Sequence, residues 1–249
     1  MKESLYDGNF GKEYDKMRFE NKGMNANDLI EMPNFRKMMP SSKDKTILDL
    51  GCGYGEEDLY YSSDAKYILG IDISKHMIEY AINNNKKDNI DYQVLKMEDL
   101  NLLNKKFDIV MSSLAFHYIE DFDKLIKDIK NVLNKDGYLV FSQEHPIVTS
   151  IVYTDKMQFN DLILDDKTYY LISDYNNNGL RKKLWMNEMV HKYHRNFTEI
   201  INTLIKNDFV IEEILEPIAS DEAIKKKPKY INQFDRSYFL IIRAKKIKD

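Results

Sequence analysis

The chain has a single cysteine, Cys52, in 249 residues. A lone thiol leaves no partner for an intrachain disulfide and rules out any cysteine-cluster metal site. Apolar runs of about 18 residues, the length a membrane-spanning helix needs, are also missing. The opening segment MKESLYDGNFGKEYDKMRFE has no apolar centre of the signal-peptide kind, so the cytoplasm is the expected location and no membrane partner is expected. Nor is there a basic excess: 37 Lys and Arg stand against 41 Asp and Glu, a net charge of −4, which argues against nucleic acid as a partner. The short basic runs at 86–89 and 225–229 read as solvated loops. No internal repeat or low-complexity tract is present. What remains is a chain with 43% hydrophobic and 12% aromatic residues, enough for one substantial core with an elaboration.

From residue 46 onward, short β-rich runs alternate with segments of helical period, the pattern of a largely parallel sheet with helices on both faces. TILDLG (46–51), YILGID (67–72), DYQVLK (91–96), FDIVMSS (107–113) and GYLVFSQ (137–143) read as five strands. SKHMIEYAINNNK sets Met77, Ile78 and Ala81 at helical spacing behind a Ser74 cap. DFDKLIKDIKNVLNKDG repeats that logic with Leu125, Ile129, Val132 and Leu133, and FTEIINTLIKND is a further helix. DFVIEEILEP and SYFLIIRAKK are two strands with little room between them for a crossover helix, which predicts antiparallel pairing. Residues 1–45 and 146–195 break the alternation. In the second of these, Asn178-Gly179 is a turn signal between YYLISDY and LWMNEMVHKY and predicts a hairpin there. The expected organisation is an N-terminal lid segment (1–45), a cofactor-binding core (46–145), a substrate-cap insertion (146–195) and the C-terminal part of the core sheet (196–249).

The stretch ILDLGCGYGEED carries the chemistry. A strand that ends in Gly51, Gly53 and Gly55 and enters a helix offers backbone N–H groups and a helix N-terminus to a ligand. A dinucleotide motif would need its third glycine at 56, where Glu56 stands, and a P-loop would need glycine, lysine and a hydroxyl residue where Glu56, Glu57 and Asp58 stand. Phosphate is a poor ligand for such a loop. With Asp49 these acids suit a ligand that carries positive charge. Asp72, closing the second strand, is placed to accept from both hydroxyls of a ribose, and Glu98 and Asp99 from an adenine amine. Together they point to an adenosyl ligand without phosphate.

ILDLGCGYG, GIDIS followed by Met77, MEDL, FDIVMSSLAFHY and LNKDGYLVFS, in that order over roughly residues 46–143, resemble the successive motifs of the class I S-adenosylmethionine-dependent methyltransferases. FSQEHP (141–146), VHKYHRNFTEIINTL (190–204) and the opening Tyr14, Asp15 and Arg18 are similar to a bacterial small-molecule subgroup of methyltransferase type 11-like proteins. The resemblance implies a Rossmann-like α/β fold: a seven-stranded, mostly parallel sheet with an antiparallel last strand, helices on both faces and a substrate-covering insertion. It implies that Gly51, Cys52, Gly53 and Gly55 line the methionine part of the cofactor and that Asp72 holds the ribose. Ile73 and Met77 would flank the adenine, and Met97, Glu98 and Asp99 would complete that side. Ser112, Ser113 and Leu114 would form the floor beneath the sulfonium, and Tyr14 would act as a lid. Arg18 and Arg195 are candidates for carboxylate recognition.

Methyl transfer from a sulfonium needs alignment in a dry site more than a strong base, yet an amine or hydroxyl acceptor must lose a proton. His117, after the fourth strand, His145, after the fifth, and His194, at the exit from the insertion, are the candidate bases. If 190–194 is extended, His194 and Lys192 share one face and His191 and Tyr193 the other. That separation, with no third ligand in view, argues against a metal site at His191 and His194. Tyr118, Trp185, Tyr193 and Arg195 are candidate acceptor contacts; His76 is expected to be solvated. The leading expectation is a methyltransferase acting from S-adenosylmethionine, leaving S-adenosylhomocysteine, on O or N of a small molecule, with no metal. The alternatives are methylation of RNA or protein, and a non-catalytic S-adenosylmethionine-binding protein.

Overall fold

The computed structural model describes residues 4–151, 161–164, 167–186 and 188–248. The chain opens with α1 (Asn9–Glu20), a π-helical turn (Asn27–Glu31) and α2 (Met32–Met38). The core follows as β1 (Thr46–Leu50), α3 (Glu56–Tyr61), β2 (Tyr67–Asp72), α4 (Lys75–Asn84), β3 (Ile90–Val94), β4 (Phe107–Ser112), α5 (Phe122–Val132) and β5 (Leu133–Glu144). Then come α6 (Pro146–Thr149), β6 (Asp161–Leu164), β7 (Lys167–Tyr170), β8 (Gly179–Trp185) and β9 (Glu188–His194). The chain returns to the core as α7 (Phe197–Lys206), β10 (Phe209–Leu215), α8 (Asp221–Lys226) and β11 (Phe239–Lys246).

Seven strands form one sheet in the order β10-β11-β5-β4-β1-β2-β3. The neighbours from β5 to β3 are parallel, and β11 runs antiparallel to both β5 and β10. Alternation along the strands feeds two cores, as period-two geometry requires. Leu48, Val110, Leu139 and Ile242 pack with Leu125, Ile129 and Leu204 of α5 and α7 on one face, while Ile47, Ile109, Val140 and Ile241 pack with Phe35 and Met38 of α2 on the other. The helix starts are capped by side chains: Ser74 accepts from Met77 N at 3.2 Å, Asp121 from Lys124 N at 2.9 Å and Asn196 from Glu199 N at 3.0 Å.

Three sequence expectations change. The hairpin turn is not at Asn178-Gly179: β8 starts at Gly179 and pairs with β9 from Gly179↔His194 to Trp185↔Glu188, so the chain reverses after Trp185, with Met186 at φ 52°. β10 and β11 are antiparallel as expected, but α8 and a 3-10 segment, Pro228–Phe234, lie between them. β5 begins at Leu133, directly after α5, rather than at Gly137.

Candidate active site

A cleft of about 500 Å³ lies over the carboxyl ends of β1, β2 and β4, where open α/β sheets bind ligands. Its centre is the loop from β1 to α3. Gly51 N and Cys52 N both donate to Ile71 O, at 2.8 and 3.0 Å, which ties the loop to the end of β2. Asp72 ties it again: Oδ2 accepts from Gly53 N at 3.0 Å and Oδ1 from Ser74 N at 2.7 Å. The carboxylate so oriented lines the cleft. Burial raises the Asp72 carboxyl, against the lowering effect of those backbone bonds.

Two loop glycines do different work. Gly53 has φ +53°, and a Cβ there would find nothing nearer than Met77 Sδ at 3.7 Å, so the bare backbone is open to the cleft. At Gly55, φ +75°, a Cβ would lie 2.2 Å from Tyr92 Oη, so this glycine makes room for a neighbouring side chain and does not line the cleft.

The acids of the loop are largely matched within the protein. Arg18 of α1 reaches Glu56 at 2.8 Å and Asp28 at 2.6 Å, Lys22 reaches Glu56 at 2.8 Å, and Arg36 of α2 grips both oxygens of Glu57 at 2.6 and 3.1 Å. Asp58 points inward, wholly buried, and burial lifts both its carboxyl and that of Asp49 above the ordinary range; Asp58 and Glu57 add to the rise at Asp49, whereas at Asp58 the hydrogen bond with Asp49 opposes it and Glu57 adds to it. Glu56 and Glu57 are thus paired within the protein, so the acidic run as a whole is not free to meet a cationic ligand.

The roof comes from both segments outside the alternating core. Asp15 of α1 accepts from Tyr54 Oη and bonds His76 Nε2 at 2.7 Å, and Asp7 accepts from Ser74 Oγ at 2.6 Å. His76, expected to be merely solvated, thus fastens α1 to α4. From the insertion, Met189, Val190 and His191 line the cleft mouth, and Trp185 packs on Phe10 and Tyr14.

Of the expected cofactor residues, Tyr14, Arg18, Asp49, Gly51, Cys52 and Gly53 line the cleft. So do Asp72, Ile73, Met77, Met97, Glu98, Ser113 and Leu114. Asp99 and Ser112 do not: Ser112 is fully buried and donates to Leu50 O at 2.7 Å. Tyr118 is the expected acceptor contact that lines the cleft. Trp185 stands behind Tyr14, and Tyr193 reaches outward to Glu120 at 3.1 Å. Arg195 is buried, donating to the carbonyls of Phe116, Ile119 and Glu120, so it pins the loop after β4 and recognises no carboxylate in the cleft.

None of the three candidate bases is brought into the cleft. His145 is fully buried, with Nδ1 accepting from Ile147 N at 3.1 Å as the cap of α6 and Nε2 on Glu216 at 2.6 Å. His194 is equally buried, between Thr149 Oγ1 at 2.8 Å and Tyr175 O at 2.9 Å. His117 accepts weakly from Glu144 N at 3.4 Å and is pushed down to about 3 by burial, with Lys192 and Arg195 adding to the fall and Glu144 opposing it. Sequence position put each at the correct sheet edge, but local turn geometry aims the rings inward. Among the five histidines, His191 is the one that lines the cleft.

Glu31, which the sequence reading passed over, also lines it. Its signal in the sequence is a lone acid inside the apolar pattern DLIEMPNF, whose Ile30 and Phe35 are buried.

A mostly parallel seven-stranded sheet with one antiparallel strand, a glycine loop after β1 and a carboxylate closing β2 define a class I, Rossmann-like methyltransferase architecture. The family model for a methyltransferase domain matches residues 48–141. A Haemophilus influenzae protein, itself uncharacterized, is 35% identical over 257 residues, covering 98% of each chain. The solved structure of an S-adenosylmethionine-dependent methyltransferase from Mesorhizobium loti is 32% identical with a TM-score of 0.79, covering 87% of this chain and 97% of its own. A solved structure from Listeria monocytogenes is 33% identical with a TM-score of 0.76, covering 88% and 97%. The chain belongs to the S-adenosylmethionine-dependent methyltransferase family, and it is an enzyme of methyl transfer.

Proposed function

We propose that the protein moves the methyl group of S-adenosylmethionine to an oxygen or nitrogen of a small-molecule acceptor. The observation that carries the acceptor class is the roof: Tyr6, Tyr14 and Arg18 on one side and Met189, Val190 and His191 on the other close a space of about 500 Å³. That space, which the cofactor would share with the acceptor, is on the scale of small-molecule sites. On this reading residues 1–45 and 146–195 are the lid and the cap.

The donor set fits the cofactor. The Asp72 carboxylate suits the ribose hydroxyls, and Ile73, Met77 and Met97 offer apolar contacts for an adenine with Glu98 beside them for its amine. The open backbone at Gly53 admits the methionine part, Asp49 lies near enough to favour its ammonium, and Arg18 borders that end. When bound, the cofactor supplies an already activated methyl group. The work left to the chain is to align the acceptor and keep water out, which the two-part roof can do.

Isothermal titration with S-adenosylmethionine and S-adenosylhomocysteine tests the cofactor site. Labelled-methyl transfer into a low-molecular-weight metabolite extract tests the acceptor class. We expect both cofactors to bind and label to appear in a small product. Absence of binding at millimolar concentration overturns the cofactor site, and label found in RNA or protein instead overturns the small-molecule acceptor.

A further inference from the structure

Glu31 ends the π-helical turn Asn27–Glu31 and has no solvent exposure, yet it lines the cleft. Single π-turns of this kind recur at functional sites. Its Oε1 accepts from Ser113 Oγ at 3.0 Å and from Ser142 Oγ at 2.5 Å. Its Oε2 is buried with no hydrogen-bond partner among the described residues. A carboxylate oxygen fixed through its twin and left open itself is arranged to meet a donor that arrives with a ligand.

The strand order gives that donor a side. Ser113 follows β4 and Ser142 belongs to β5, whereas Asp72 closes β2 and Glu98 follows β3; β1, with the glycine loop, lies between the two pairs. With the adenosyl half over β2 and β3, Glu31 stands on the opposite side of the loop, where the acceptor has room.

We propose that Glu31 is the catalytic base, its Oε2 taking the proton from the acceptor's hydroxyl or amine during methyl transfer. The inference rests on the methyl-transfer reading above. In the step, a bond forms from the acceptor's O or N to the methyl carbon, and the carbon–sulfur bond breaks with its electron pair left on sulfur as a neutral thioether. The proton goes to Oε2, so the donor's positive charge and the carboxylate's negative charge disappear together. Burial raises the Glu31 carboxyl to about 7, with the Ser142 and Ser113 hydroxyls opposing the rise, Glu57 of α3 adding to it and Arg18 of α1 reducing it. A proton affinity near the working pH is what general-base catalysis favours. The placement also narrows the substrate class: an acceptor whose reacting group is itself a carboxylate would meet a like charge, whereas a hydroxyl or a neutral amine would not.

The test uses Glu31→Gln, with Glu31→Asp as a second variant that keeps the charge but withdraws it by one methylene. First, the affinities for the cationic S-adenosylmethionine and the neutral S-adenosylhomocysteine are measured from pH 6 to 8. In the wild type the preference for the cation should grow about fivefold as Glu31 ionises, and in Glu31→Gln it should change less than about twofold. A rise that Glu31→Gln retains, or no rise in the wild type, overturns the placement of Glu31 beside the sulfonium. Second, labelled-methyl transfer into the metabolite extract should fall about 100-fold or more in Glu31→Gln, with cofactor affinity at pH 6 nearly unchanged and partial activity in Glu31→Asp. Transfer by Glu31→Gln within about threefold of wild type overturns the base. If the wild type binds neither cofactor, the methyl-transfer reading itself has failed; if it binds them, the affinity ratio decides the placement of Glu31 whatever the extract contains.

Discussion

Trp185 stands edge-on to Tyr14, with ring centroids 5.9 Å apart and planes at 82°. Phe10 meets the same indole at 5.4 Å, so α1 and the β8–β9 hairpin share one aromatic cluster over the cleft. Each such pair contributes about 0.5–1.5 kcal/mol beyond burial. Trp185→Ala should uncouple the two halves of the roof, weakening S-adenosylhomocysteine binding roughly tenfold by titration calorimetry, by the conversion of about 1.4 kcal/mol per decade. Trp185→Phe should retain most of the affinity.

The glycines at 53 and 55 should separate binding from stability. Alanine at either position meets positive φ, a cost of about 1 kcal/mol or more. At Gly55 the added Cβ also collides with Tyr92, while at Gly53 it enters the cleft. Gly55→Ala should therefore show the larger loss in urea unfolding, and Gly53→Ala the larger loss of cofactor affinity.

His117 predicts an acid-sensitive term. Its folded value is about 3 and its unfolded value about 6.5, so below pH 6.5 the unfolded chain binds a proton that the native one refuses. Stability from this group falls with pH from about 6.5 toward 3, at most about 1.4 kcal/mol per pH unit. Glu31 acts oppositely: its raised carboxyl favours the fold below the unfolded value and loses that effect as pH rises through about 7. Comparing wild type with His117→Asn by urea unfolding at pH 7, 6 and 5 isolates the histidine, and the variant should gain on the wild type as pH falls.

Lys192 and Glu144 form a pair at 2.6 Å that joins β9 to the end of β5 beneath Tyr118 and Trp185. Burial would raise the Glu144 carboxyl, but Lys192 and His117 outweigh it and hold it at about 2. Lys192→Met leaves that carboxylate without its cation and should cost about 3 kcal/mol, the lower end for buried pairs because Glu144 keeps some solvent contact. The double variant Lys192→Met with Glu144→Gln should recover much of the loss in thermal unfolding.

The sheet was legible because strand alternation, helix period and the Ser74 cap all agree locally, and the glycine loop because its φ angles demand glycine. The roof was not. Asn178-Gly179 carries a strong turn signal, yet tertiary pairing puts the reversal at Met186, a residue with no turn preference. The histidines were placed at the right edge by counting residues, but whether a ring faces in or out depends on the next peptide, as with His145 capping α6. Glu31 has no motif; its meaning comes from Ser113 and Ser142, which lie 82 and 111 residues away.

β11, residues 239–246, is inserted between β5 and β10, and this imposes an order on biosynthesis. While the ribosome has yet to deliver residue 246, β10 has been made but has no neighbour in the sheet, and β5 presents a raw edge to other nascent chains. Completion of the sheet thus waits on a strand whose first residue, Phe239, lies 95 positions beyond its partner Glu144, and a chain stalled or truncated before it would carry an exposed adhesive strand in place of a finished enzyme.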